Sequence, residues 1–237
     1  MPIRRLFVQQ GENPNTRPGP LAEFLTGHDD RGLEAYLFVH AMVSADPWNC
    51  KLPSEAWVGA LGLAENAAMD SAKAAVSKTM RRLEQRKLIT RSRSKRLSNI
   101  TLLKEDGSGD AYQHPAQTGE PYFQLPHAYW LEGHYTSLHL PAKVMLLIAL
   151  SLQAGFNLPY KRAPDWYGVS QDSAKEGLRE LRTRQLLAVE STWIRAPRSA
   201  TGWTERLEYT LQGSYSRAKR RKAELVTSGE SSEVPAE

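Results

Sequence analysis

Apolar positions in the first half of the chain fall into two helical stripes. Leu33, Tyr36, Leu37 and His40 recur at three-to-four spacing and predict a helix over 32–45, stopped by Asp46-Pro47. Ser54 reads as the N-cap of a short helix over 55–61 that ends at Gly62. Val76, Met80 and Leu83, at i, i+4 and i+7, form the buried stripe of a longer helix over 68–86. Two short extended runs, 88–91 and 99–103, flank the polar tip 92–98 and predict a hairpin. A strand is expected near 3–8.

The second half repeats this order. An apolar helix over 142–152 leads to an extended piece at 156–158, a short helix at 163–167 and the turn Gly168-Val169. Ser170 caps a helix over 171–185, and the runs 186–190 and 207–211 predict a second hairpin. Leu52-Pro53 and Gly62-Leu63 reappear as Leu158-Pro159 and Gly168-Val169, an offset of 106 residues. Val76, Met80, Leu83, Arg86, Leu88 and Ile89 match Ala174, Leu178, Leu181, Arg184, Leu186 and Leu187 at an offset of 98, so the first copy carries eight extra residues. A period of about 100 is too long for a solenoid, whose repeats run about 20–50 residues, and points to a duplicated domain.

The runs RLEQRKLI (82–89) and ELRTRQLL (180–187), with the turns at Gly62 and Gly168, resemble the winged helix-turn-helix family. The resemblance covers most of 31–105 and 125–212. It implies a mainly α chain with small β-hairpin wings (α+β), as two winged-helix domains in tandem. It also implies that the third helix of a domain lies in the DNA major groove while the hairpin follows phosphates or the minor groove. The expected organisation is a flexible arm at 1–30, a first domain at 31–105, a Gly/Pro/polar linker at 106–121, a second domain at 122–213, and a basic segment with a disordered acidic tail at 214–237.

Charge adds direction. The net charge is +5, yet the last twelve residues hold three Glu and no Lys or Arg, so residues 1–225 carry +8. A basic folded part points toward a polyanion, nucleic acid first. Between Ala68 and Lys87 there are six basic and two acidic residues. With the Val76 stripe buried, Lys78, Arg81 and Arg82 fall on the outward side, flanked by Lys73 and Ser77. The hairpin adds Arg91, Arg93, Lys95 and Arg96 with no acid among them. A helix that reads base edges beside a loop that holds phosphates is what duplex DNA requires. Reversing Lys78 and Arg82 to Glu is therefore expected to abolish specific binding and leave the fold intact.

The second copy is more balanced, with four basic and three acidic residues over 171–185. Its candidate contacts are Lys175, Arg179 and Arg182, with Arg195 and Arg198 from the hairpin. Trp193 and Trp203, which frame that hairpin, are candidates for surface contact, as is the cationic run Arg217–Lys222. The helix over 142–152 is apolar nearly all round and suits either a core or a dimer interface.

No catalytic motif stands out. The six His lack HExxH spacing, and there is no Walker A, GxGxxG or GxSxG element, so neither an enzyme nor a cofactor is expected. The lone Cys50 forms no internal disulfide and fits a reducing cytosol. No apolar run reaches bilayer length. The reading is a cytosolic, sequence-specific double-stranded DNA-binding regulator of transcription. The alternatives are a plasmid or phage replication initiator, whose two winged-helix domains bind repeated sites, and a winged-helix scaffold that binds protein.

Overall fold

The computed structural model describes residues 1–11, 17–64, 68–94, 97–198 and 202–216. About 47% of the chain is helix and 21% strand, and the strands form small sheets, so the class is mixed α+β. Two compact units are present: residues 1–123 with 164–169, and residues 124–163 with 170–237.

Residues 1–11 and 17–30 are part of the first unit and not a loose arm. Strand β1 (Pro2–Arg4) pairs with β5 (Tyr122–Gln124), and helix α1 spans Leu21–Thr26. Ile3, Phe7, Val8, Leu21 and Phe24 are all buried. Phe7 packs against Tyr36 and Phe24, with ring centroids 5.0 and 6.0 Å away.

The stretch expected to be a linker is anchored as well. Arg4, 1% exposed, donates from Nη1 to Glu105 at 2.6 Å, from Nε to Glu120 at 2.5 Å and from Nη2 to the Gln113 carbonyl at 2.5 Å. Its guanidinium also stands 5.2 Å from the Tyr112 ring centroid. Glu105 is fully buried, and Lys104 pairs with Glu120 at 3.0 Å. The Gly- and Pro-rich composition is therefore not that of a spacer. It lets the chain wrap one buried guanidinium, which demands several acceptors at once.

The remainder of the first unit follows the predicted order. Helix α2 spans Asp30–Met42, β2 Asn49–Leu52, α3 Ser54–Ala60, α4 Met69–Gln85, β3 Ile89–Ser94 and β4 Leu97–Leu102, with α5 at Pro115–Thr118. The strands form an antiparallel sheet in the order β2-β4-β3, with Cys50 opposite Ile100 and Ile89 opposite Leu102. Strand β2 has no alternating pattern of its own, and periodicity does not predict it. Ser54 is the first helical residue and makes no side-chain cap. Ala72, Val76, Thr79, Met80 and Leu83 form the buried stripe of α4.

In the second unit, short helices α6 (Ala128–Leu131) and α7 (His134–Ser137) precede α8 (Leu140–Ser151). Every residue of α8 from Ala142 to Leu150 is at most 2% exposed. The helix is thus a core element, and it leaves no apolar face on which a second copy could dimerise. Helix α9 (Ala163–Tyr167) falls in the first unit from Pro164 on, and α10 (Gln171–Thr183), whose Ser170 cap accepts from the Ser173 amide as predicted, returns the chain to the second. Helix α10 lies close on α8 at Gly177. A Cβ there would come within 2.4 Å of the Pro141 carbonyl oxygen. Strands β6 (Leu187–Arg195) and β7 (Trp203–Leu211) make a two-stranded ribbon longer than the predicted hairpin, and Phe156 bridges Tyr209 beside it.

Two backbone features recur at the offsets noted in the sequence. Gly62 and Gly168 both adopt left-handed φ, +63° and +64°. So do Lys87 (+55°) and Gln185 (+59°), at the offset of 98 residues. At each of these two sites the helix ends in a paired closure. Leu88 N bonds Leu83 O while Lys87 N bonds Glu84 O, and Leu186 N bonds Leu181 O while Gln185 N bonds Arg182 O. This is the Schellman arrangement, sealed by the Leu83–Leu88 and Leu181–Leu186 pairs.

Candidate nucleic-acid interface

Helix α4 presents its outward face through Ser77, Lys78, Arg81 and Gln85, all exposed. Lys78 and Arg81 have no ion-pair partner among the described residues. The other cations of the helix are engaged. Lys73 pairs with Glu55 at the start of α3, a contact that holds the ammonium above its usual range.

Arg82, expected among the base-reading residues, is turned inward at its tip. Its Nε donates to Asp29 Oδ2 at 2.9 Å and its Nη2 to Oδ1 at 2.6 Å. Arg86 reaches the same carboxylate at 2.6 Å and stacks on Phe24, 4.4 Å from the centroid. Asp29 also caps α2 by accepting from the Gly32 amide at 3.0 Å. Burial pushes the Asp29 carboxyl up, but the hydrogen bonds and charges of the two guanidiniums outweigh it and hold it below the ordinary value. The clasp ties α4 to the start of α2.

Arg91 donates from Nε and Nη2 to Glu84 at 2.9 and 2.7 Å, which binds the hairpin to the helix. Between α3, α4 and the hairpin lies a cleft of about 650 Å³, lined by Lys73, Ser77, Arg81, Arg91, Ser92 and Ser98, with the buried Trp57 at its base. The backbone of Arg93 lies in β3 opposite Ser98. Lys95 and Arg96 lie outside the described residues, as does the cationic run Arg217–Lys222 with the acidic tail. Helix α4 therefore carries three groups suited to base edges or phosphates within little more than one turn: Ser77, Lys78 and Arg81.

In the second unit, Lys175 pairs with Asp172 at 3.8 Å and stands 5.9 Å over the Tyr160 ring. Arg179 and Arg182 are exposed, and Arg198 is exposed in the turn of the ribbon. Arg195 lies 5.8 Å over the Trp203 ring. Glu180 does not face outward with them. It accepts from the His139 backbone amide at 3.3 Å, meets the His139 ring at 3.2 Å and pairs with Arg184 at 3.3 Å. Asp172 and Glu176 stay among the exposed cations of α10, so that face is close to neutral. This inward turn of Glu180 is the feature that helical phase alone did not reveal.

Reactive chemistry is sparse. Burial pushes the Cys50 thiol up to about 11, which makes it a poor nucleophile. Among the described residues no group of three His, Cys, Asp or Glu could hold a metal, and no helix is long and apolar enough to cross a membrane. Compared with known proteins, the chain matches no family model, no curated protein and no solved structure.

Proposed function

We propose that this chain binds double-stranded DNA sequence-specifically through the first unit and acts in the cytosol as a regulator of transcription. The order of the first unit, helix–strand–helix–helix–hairpin with the first strand paired to the last, supports a winged-helix reading. The observation that carries the function is the outward face of α4. Lys73, Arg82 and Arg86 are tied to carboxylates, while Ser77, Lys78 and Arg81 stand exposed beside the cleft and the hairpin. These three are the proposed readers of base edges in the major groove. Of the hairpin cations, Arg93, Lys95 and Arg96 supply phosphate contacts, while Arg91 is held by Glu84.

The test is K78E/R81E in the full chain, with genomic fragments selected at two salt concentrations. Wild type is expected to enrich one or a few promoter-proximal sites, and the variant to enrich none while its thermal unfolding is unchanged. Enrichment by the variant equal to wild type sinks the assignment. Neutralising Arg93, Lys95 and Arg96 should weaken all sequences together and reduce the log–log salt slope by about 0.9 for each phosphate no longer neutralised. A slope near zero would instead favour a protein-binding scaffold.

The near-neutral α10 favours a second reading, a replication initiator with one DNA-reading unit and one serving assembly. Clustered direct repeats among the selected fragments would support it.

A further inference from the structure

The β6–β7 ribbon carries the largest exposed aromatic surface among the described residues. Trp193 is 67% exposed and Trp203 47%. The register decides how they are arranged. Trp193 lies opposite Glu205, and Arg195 lies opposite Trp203. Opposed residues of an antiparallel pair share a face, as do residues two apart along one strand. Trp193, Arg195 and Trp203 therefore stand together on one face, with the two Trp at diagonal positions of the ladder. Ile194, Thr204 and Arg206 occupy the other face, where Arg206 pairs with Glu208 at 3.0 Å.

The charge around the indoles is one-signed toward the turn. From Ile194 to Thr204 the chain has Arg195 and Arg198 and no acidic residue. Arg195 lies over Trp203, so a cation and a ring face are presented together. The carboxylate on this face, Glu205, accepts from Ser191 Oγ at 2.5 Å, on the side away from the turn.

We infer that this face of the β6–β7 ribbon is a stacking platform for unpaired bases of single-stranded DNA, with Trp193 and Trp203 as the rings and Arg195 and Arg198 as the phosphate contacts. A base in a duplex has both faces covered by its neighbours, and exposing one costs a few kcal/mol per step. An unpaired strand offers its π-faces without that cost, and its phosphates match the two arginines. A bilayer fits less well. The turn between the strands, 196–202, carries Arg198 and no large apolar side chain to enter a bilayer. The inference uses a different surface from the duplex-reading face of α4 and stands or falls separately.

The experiment titrates a labelled oligothymidylate of about fifteen nucleotides, a length within the usual single-strand site sizes, against the full chain at low salt, with indole emission recorded in parallel. Wild type is expected to bind with quenching. W193A/W203A should bind roughly a hundredfold more weakly, about tenfold for each stack removed, and W193F/W203F should recover most of that loss. Thermal unfolding checks that all three are folded. K78E/R81E should retain oligothymidylate binding, while W193A/W203A should retain the duplex selection pattern.

Equal oligothymidylate affinity in wild type and W193A/W203A overturns the inference. So does absence of binding by wild type, whether its indole emission then responds to anionic phospholipid vesicles, a membrane contact, or to protein concentration, a contact between copies.

Discussion

Arg82 and Glu180, 98 residues apart, each grip the N-cap residue of an earlier helix of their own unit, with opposite charge. Arg82 holds the Asp29 carboxylate at the start of α2, and Glu180 holds His139 at the start of α8. The mechanical role is the same, joining α4 to α2 and α10 to α8, and the polarity is reversed. Because each of these residues is spent on that contact, neither is counted with the outward face of its helix. A helical wheel places both near that face.

The clasp makes Asp29 a stability residue. Asp29→Ala removes an N-cap and the buried partner of Arg86, which is only 13% exposed and keeps the exposed Glu23 at 3.4 Å, and should cost about 2–4 kcal/mol in urea unfolding. Asp29→Asn keeps the cap and should recover about 1 kcal/mol of it. Arg82→Glu places a carboxylate against Asp29 and should destabilise the first unit too, which is why it cannot report on DNA contact alone. A loss below about 0.5 kcal/mol for Asp29→Ala would show that the clasp is solvent-screened.

His40 sets an acid limit on the same unit. Its ring is buried against Tyr36 and Tyr112, its Nε2 has no hydrogen-bond partner among the described residues, and burial pulls its pKa from 6.5 down to about 3. Between those values the unfolded chain binds the proton and the folded chain does not. Stability from this group therefore falls as pH drops from 6.5 toward 3, by about 1.4 kcal/mol per pH unit. His40→Phe keeps a ring and should flatten the stability–pH curve in that window by one proton. Parallel curves for wild type and variant would show that His40 can be protonated in place.

The helix endings offer a gain. Gln185 is exposed at φ +59° in the C′ position of a Schellman closure. Left-handed backbone costs an L-residue about 1–2 kcal/mol, while glycine loses about 0.4–1 kcal/mol through the entropy of the unfolded chain. The first term is larger, so Gln185→Gly should stabilise by roughly 0.5–1 kcal/mol and raise the thermal midpoint. A lower midpoint would mean that the Gln185 side chain contributes more than its backbone strain.

Local pattern alone predicted α2, α3, α4, α8, α9, α10 and the two hairpins, but not α1, α5, α6 or α7. The stripes Val76/Met80/Leu83 and Ala174/Leu178/Leu181 are local patterns, and a helix buries what its own phase puts on one side. Ser170 was legible for the same reason, since a cap acts within three residues. Tertiary structure decided the rest. Arg4 and Glu105 meet across 101 positions, so nothing near either one showed that the N-terminal arm and the apparent linker close around a buried ion pair. Strand β2 exists because β4 supplies its partners. Helix α8 lost its reading as a dimer face only once every side was seen to be covered. The sequence supplied the cations of α4, but which of them stay available depends on carboxylates brought from elsewhere in the chain. Asp29 takes Arg82 and Arg86, Glu55 takes Lys73, and Ser77, Lys78 and Arg81 remain outward. A charge contributes to an interface only after its intramolecular partners are known, and those are set by packing between segments far apart in sequence.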